Sequence, residues 1–201
     1  MSVAEAGNPR ERIIETAREL FQARGFDATS INDLIAASET HKASFYRYFR
    51  SKEEVAVEYL HRERDAFAHG LQTLMDRADN PGDFIRTWCA LLMRQVKADK
   101  FVGCRVSRLM QTLSADATLQ REAAGVIDAW TEMLARFLAL QKARGAFRGD
   151  PEITAEKILR LFQGTAAMYR MHQRKEVFMH LRDDLLKEVG STSVENFRKK
   201  S

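Results

Sequence analysis

Residues 29–55 read TSINDLIAASETHKASFYRYFRSKEEV, and two short apolar patterns stand there on either side of a break of about three residues, Ser38 to Thr40. Ile31, Leu34 and Ile35 recur at three and four, the spacing of one helix face, behind the N-cap types Thr29 and Ser30 and with Asp33 in the first turn. The pattern resumes from His41 to Phe49. Two short helices around so brief a turn spell a helix-turn-helix. Nine residues of helix are marginal alone, so this part of the chain must fold as a packed helical cluster.

The second of these helices carries four rings, Phe45, Tyr46, Tyr48 and Phe49, with basic residues between and around them. Helical spacing lets Phe45 and Phe49 face inward while Lys42, Ser44, Tyr46 and Arg47 face outward. Tyr48 fits either side. The outward set combines cations, hydroxyls and a phenol at a helix start, which suits phosphate positioning and base-edge contacts in a major groove.

Helical patterns account for the rest of the chain, so the fold class is all-α. A first helix is predicted through Ile13, Ile14, Ala17, Leu20 and Phe21 to a stop at Gly25. Ser51 with Glu54 forms a capping box for a long helix reaching about Ala78, and Asn80-Pro81-Gly82 marks a break. Further helices are expected over 83–98, after Gly103, from Leu119 to near Gly145, from Asp150-Pro151 to about His172, and over 176–189, about nine in all. The expected organisation is a DNA-binding head over 8–54, a body over 55–190 and a loose tail over 191–201.

Composition narrows the function. At 201 residues, 45% hydrophobic and 30% charged, the chain can bury a core unaided. The first residues hold no apolar run and no window reaches a membrane span of ~18 residues, so the chain reads as cytoplasmic, with no membrane partner. Cys89 and Cys104 read as free thiols. The net charge of +4 is no simple nucleic-acid signature, because residues 1–60 hold eight Lys/Arg against ten Asp/Glu. Four of those eight cations, however, lie between 42 and 52. His61, Asp65 and His69 share a helix face at metal-ligand spacing but read better as a solvated face. Neither a nucleophile triad nor a phosphate-binding glycine loop is evident, so neither catalysis nor a cofactor is expected.

Residues 10–55, through the run from Thr29 to Val55 quoted above, resemble the DNA-binding head of the TetR family of repressors. The resemblance implies a double-stranded DNA operator as partner, with Thr29, Ser30, His41, Lys42, Ala43, Ser44, Tyr46, Arg47 and Lys52 as the DNA-facing set. Two positions depart from the family pattern: Glu39 stands at a turn position usually glycine, and Ile35 where alanine is preferred. It also implies a homodimer built as a four-helix bundle, through Ile158, Leu161, Phe162, Gly164, Thr165 and Met168. For the body it implies a cavity for a small-molecule effector. The candidate lining residues are Phe67, Trp88, Leu92, Cys104, Met110, Trp130, Met133, Phe137 and Tyr169, although such stripes are more often core. The long helix from Ser51 is the expected lever. Cys104, at a helix start beside Lys100, Arg105 and Arg108, is also placed as a reactive thiol would be. Two alternatives stand beside the ligand-responsive repressor: a Cys104-based sensor of oxidants or electrophiles, and a helical interaction protein that has lost DNA binding.

Overall fold

The computed structural model describes residues 8–114 and 116–190, and the regular structure among them is helical throughout. In chain order the helices are α1 (Pro9–Ala23), α2 (Ile31–Ala37), α3 (Lys42–Tyr48), α4 (Lys52–Met75), α5 (Pro81–Lys97), α6 (Arg105–Gln111), α7 (Ala117–Ala143), α8 (Pro151–His172) and α9 (Val177–Glu188). No helix among the described residues is long and apolar enough to cross a membrane. The chain divides into two units. One takes the residues up to Asp65 with Arg105–Ile127, the other Ala66–Cys104 with the residues from Asp128 on. Helices α4 and α7 give residues to both units. The expected tail over 191–201 lies outside the described residues.

In the first unit, α1 begins where the Asn8 side chain accepts the Arg10 amide at 3.0 Å. Pro9 takes the first position, where a missing N–H leaves nothing unsatisfied. Ile13, Ile14, Ala17 and Phe21 form the buried face that packs toward α2 and α3. The helix stops at Ala23, short of the predicted Gly25, because Gly25 lies at φ +93° and turns the chain away.

That turn delivers Phe26 and Asp27 to the end of α6. Phe26 N donates to Thr112 Oγ1 at 3.0 Å, Asp27 N to Thr112 O at 3.2 Å, and the Asp27 carboxylate accepts Ser114 N at 2.6 Å. At the other end of α6, the largely buried Glu63 of α4 accepts Arg105 Nη1 at 3.3 Å and Arg18 Nε at 3.1 Å. A buried carboxylate is tolerated only when paired in this way. Gln22 Nε2 adds a 2.7 Å bond to the Tyr59 hydroxyl.

The second unit is organised by aromatic rings. Phe67 lies 4.3 Å from Trp130, 5.9 Å from Phe162 and 6.3 Å from Trp88, and Phe84 joins Trp88 at 5.8 Å to Phe137 at 5.3 Å. Phe101, Tyr169 and Phe178 form a second group 4.8–5.7 Å apart, where α9 packs on α8. Ring pairs of this kind contribute about 0.5–1.5 kcal/mol each beyond their burial.

Two further boundaries differ from the sequence reading. Asn80-Pro81-Gly82 is the start of α5 rather than a break before it: Asn80 Oδ1 accepts Asp83 N at 3.0 Å and Pro81 fills the first helical position. The long helix ends at Met75, and its capping box is displaced. Ser51 Oγ accepts Glu54 N at 3.2 Å, but the Glu54 carboxylate takes the Arg50 amide at 2.7 Å.

A Cβ at Gly25 would stand 2.7 Å from Thr112 Cβ, so both space and backbone demand glycine there. Gly25→Ala is expected to cost about 2–4 kcal/mol of stability in urea unfolding.

Candidate nucleic-acid interface

Helix α2 is set by a reciprocal cap. Ser30 Oγ accepts Asp33 N at 3.1 Å while Asp33 Oδ2 accepts Ser30 N at 2.8 Å. The hydrogen bonds from the Ser30 hydroxyl and amide, with Arg24 nearby, hold the Asp33 carboxyl below the usual carboxylate range. A fixed negative charge therefore sits at the start of α2.

The exit of α2 is a left-handed turn. Glu39 lies at φ 51°, with Glu39 N donating to Ala36 O at 3.2 Å and Thr40 N to Ile35 O at 3.1 Å. These two bonds make a Schellman motif with glutamate where glycine is usual. The conformation costs about 1–2 kcal/mol for a residue with a Cβ. Glu39 is exposed and Ile35 half-buried.

Helix α3 divides as its spacing predicts. Phe45 is 0% and Phe49 4% exposed, their centroids 6.1 Å apart, whereas Tyr46 is 45% exposed. His41, Lys42, Ala43, Arg47 and Arg50 are exposed, and Ser44 and Tyr48 half-buried. His41 takes the N-cap position without a side-chain bond to the helix. The Arg47 guanidinium stacks 4.7 Å from the Tyr48 ring and donates to its hydroxyl at 2.7 Å, which orders a long cation at the helix edge.

Three residues of the DNA-facing set are engaged inside the unit. Thr29 is fully buried and its hydroxyl donates to Gly25 O at 2.8 Å, which makes it a structural bond of the turn. Ser30 is spent on the cap just described. Lys52 Nζ donates to Phe26 O at 2.9 Å and lies 4.0 Å from the Phe26 ring centroid, with two further N–H donors on the same ammonium. His61 of the histidine and aspartate face meets Glu122 of α7 at 3.1 Å.

In the second unit, Phe67, Trp88, Trp130 and Phe137 of the lining set come together in the first aromatic cluster and Tyr169 stands in the second. Leu92 is buried and Met133 half-buried, while Met110 belongs to the first unit. Cys104 is buried, and its Sγ accepts Gln163 Nε2 at 3.1 Å. Burial pushes the Cys89 thiol up to about 12, which leaves it inert.

The bundle set on α8 splits. Ile158 and Phe162 are buried in the unit's own core, Phe162 5.2 Å from Trp88, because the periodicity that marks an apolar face does not say which neighbour covers it. Leu161 and Thr165 are half-buried, and Gly164 and Met168 exposed. Sequence reasoning missed Phe84 and Phe162 as partners of the tryptophans, and it missed Arg12 of α1 beside the turn at Glu39, for which no local pattern gives a signal.

A short helix carrying cations and a phenol outward, braced by two buried rings behind a capped partner helix, defines a helix-turn-helix DNA-binding module. Residues 13–59 match the family model described as bacterial regulatory proteins, tetR family. Over 135 residues the chain is 30% identical to the uncharacterized HTH-type transcriptional regulator YxaF of Bacillus subtilis, spanning 66% of this chain and 71% of that protein. Over 166 residues it is 29% identical to the HTH-type transcriptional repressor NemR of Escherichia coli, spanning 77% and 80%. The crystal structure of E. coli NemR in reduced form superposes with a TM-score of 0.83 at 22% identity, covering 92% of this chain and 99% of that one. The chain belongs to the TetR family: it is a DNA-binding transcription regulator.

Proposed function

We propose that the protein is a cytoplasmic, homodimeric repressor that binds a palindromic operator through α3 and leaves it when a small molecule binds the body. The observation that carries this reading is the outward face of α3, where Lys42, Tyr46 and Arg47 stand exposed over the buried Phe45 and Phe49. Lys42, Ala43 and Ser44 lie in the first turn, from which side chains of a recognition helix reach base edges. Tyr46 and Lys52 are phosphate contacts, Lys52 through the N–H donors not used on Phe26 O. The head over 8–54 reads DNA and the body over 55–190 holds the sensor. The effector is a small molecule that binds in the body beside the aromatic group of Phe67, Trp88, Trp130 and Phe137. A ligand that binds the operator-free arrangement better by a few kcal/mol empties the operator.

Pairing of two copies is supported by the surface of α8 and α9. Ile153, Met168 and Met171 of α8 and Met179 of α9 are 44–67% exposed, and Leu161, Gly164, Met168 and Met171 recur at three and four along one stripe. The glycine permits close helix approach.

A second reading, thiol sensing, is favoured by the Gln163 amide that donates to Cys104 Sγ at 3.1 Å and fixes the orientation of the sulfur. A peroxide would take the sulfur to a sulfenic acid while being itself reduced.

Selection from random oligonucleotides should enrich a palindrome whose binding weakens steeply with salt, and Lys42→Ala and Tyr46→Ala should each lower affinity about 10-fold by fluorescence anisotropy. No enriched sequence sinks the regulator reading. Sedimentation should show a dimer for the wild type and a monomer for Met168→Glu; a dimer in both moves the interface elsewhere. Peroxide should release the wild type from its operator and leave Cys104→Ser bound, and equal release would end the thiol reading.

A further inference from the structure

We infer that Arg12 is a positioning residue for operator recognition: from α1 it holds the left-handed turn at Glu39 and so fixes the direction in which α3 leaves α2. This rests on the DNA-reading role proposed above. Arg12 Nε donates to Ser38 O at 3.1 Å and Arg12 Nη2 to Glu39 O at 3.4 Å. These are the two carbonyls that flank the positive-φ position, and they point past the end of α2, where no helical partner exists for them. A guanidinium is a rigid fork, so two successive carbonyls held by one side chain orient the peptide planes between them as well as anchoring them.

The neighbouring bonds make the turn a single small structure. Ser38 is buried, its hydroxyl donating to Leu34 O at 2.5 Å and meeting Thr40 Oγ1 at 2.9 Å. Lys42, the first residue of α3, follows Thr40 by two positions. Any rotation at Glu39 therefore swings the whole recognition helix about its entry point. Glycine at this position would adopt the left-handed form without a Cβ penalty, whereas glutamate favours the right-handed and extended regions. The clamp from α1, which packs on both α2 and α3, removes those alternatives.

The test uses the operator found by selection, with affinity followed by anisotropy over a salt series and folding checked by thermal unfolding. Arg12→Met should weaken binding about 10-fold and keep the wild-type salt slope, because a positioning residue neutralises no phosphate. Arg12→Lys keeps the charge but lacks the fork, so it should resemble Arg12→Met, and it serves if that variant does not fold. In the Arg12→Met background Glu39→Gly should recover more affinity than it gains in the wild type, while Glu39→Gln, which removes the charge and keeps the Cβ, should show no such excess. Three results overturn the inference: unchanged affinity in both Arg12 variants, a salt slope reduced by about one per subunit without selective recovery by glycine, or equal recovery by glycine and glutamine. A wild type that enriches no sequence overturns the regulator reading instead, an outcome that no variant result mimics.

Discussion

The burial of Phe45 is the constraint on which the exposed face of α3 depends. Helix α3 spans seven residues, too few to pay for its own nucleation, so it exists because its rings are taken out of water by the helices around it. A fully buried phenylalanine contributes about 1.5–3 kcal/mol, and Phe49 adds a second anchor one turn on. Successive helical residues point about 100° apart, so with Phe45 inward Ala43 and Arg47 face away from it and Tyr46 stands about a quarter turn round, while Lys42 is exposed at the helix start. Core packing and surface chemistry are thus one decision here.

The same logic extends outward from α3. Position along the helix is set by packing, but direction is set at the turn, where the bonds from Ser38, Thr40 and Arg12 converge on a backbone conformation that glutamate does not favour. On the other side, Phe26 and Asp27 bind the loop before α2 to Thr112 at the end of α6, and Glu63 binds the start of α6 to α1 and α4. Within this unit α6 is tied at both ends to the elements that carry the interface.

The sequence made legible what depends on near neighbours. The two short helices, the Ser30 and Asp150 caps and the inward placement of Phe45 and Phe49 follow from residues three or four apart, and the structure repeats them. Asn80-Pro81-Gly82 misled because proline and asparagine both break helices and begin them; only the bond from Asp83 N decides between the two. Long-range partners left no trace. Thr29, Lys52 and Arg12 are each polar residues near the interface, but whether they face DNA or the interior depends on Gly25, Phe26 and Ser38, and the last two lie 26 residues from their partners. Likewise Phe162 reads as an apolar stripe residue, and only the folded unit shows Trp88 and Phe67 as its cover.

Charge is the point on which composition and placement disagree most. The first sixty residues hold more acids than bases, which argues against a polyanion as partner. Four of those ten acids, however, are ion-paired with arginines outside α3. Glu11 pairs with Arg62 at 2.7 Å, a bond that holds its carboxyl below the usual range, while Glu58 pairs with Arg10 at 2.9 Å and Glu15 with Arg18 at 2.9 Å. Asp33 stands 3.6 Å from Arg24 and Glu63 lies between two arginines. A paired carboxylate has little field beyond a Debye length of about 8 Å. No carboxylate among the described residues is ion-paired with Lys42 or Arg47, so neither cation is neutralised by a described partner. An exposed acid close to the start of α3 is Glu39, in the turn itself, and it opposes the cations at the point where the helix enters. A chain of this kind binds DNA by arrangement rather than by total charge, which favours a few correctly placed contacts over general attraction to any duplex.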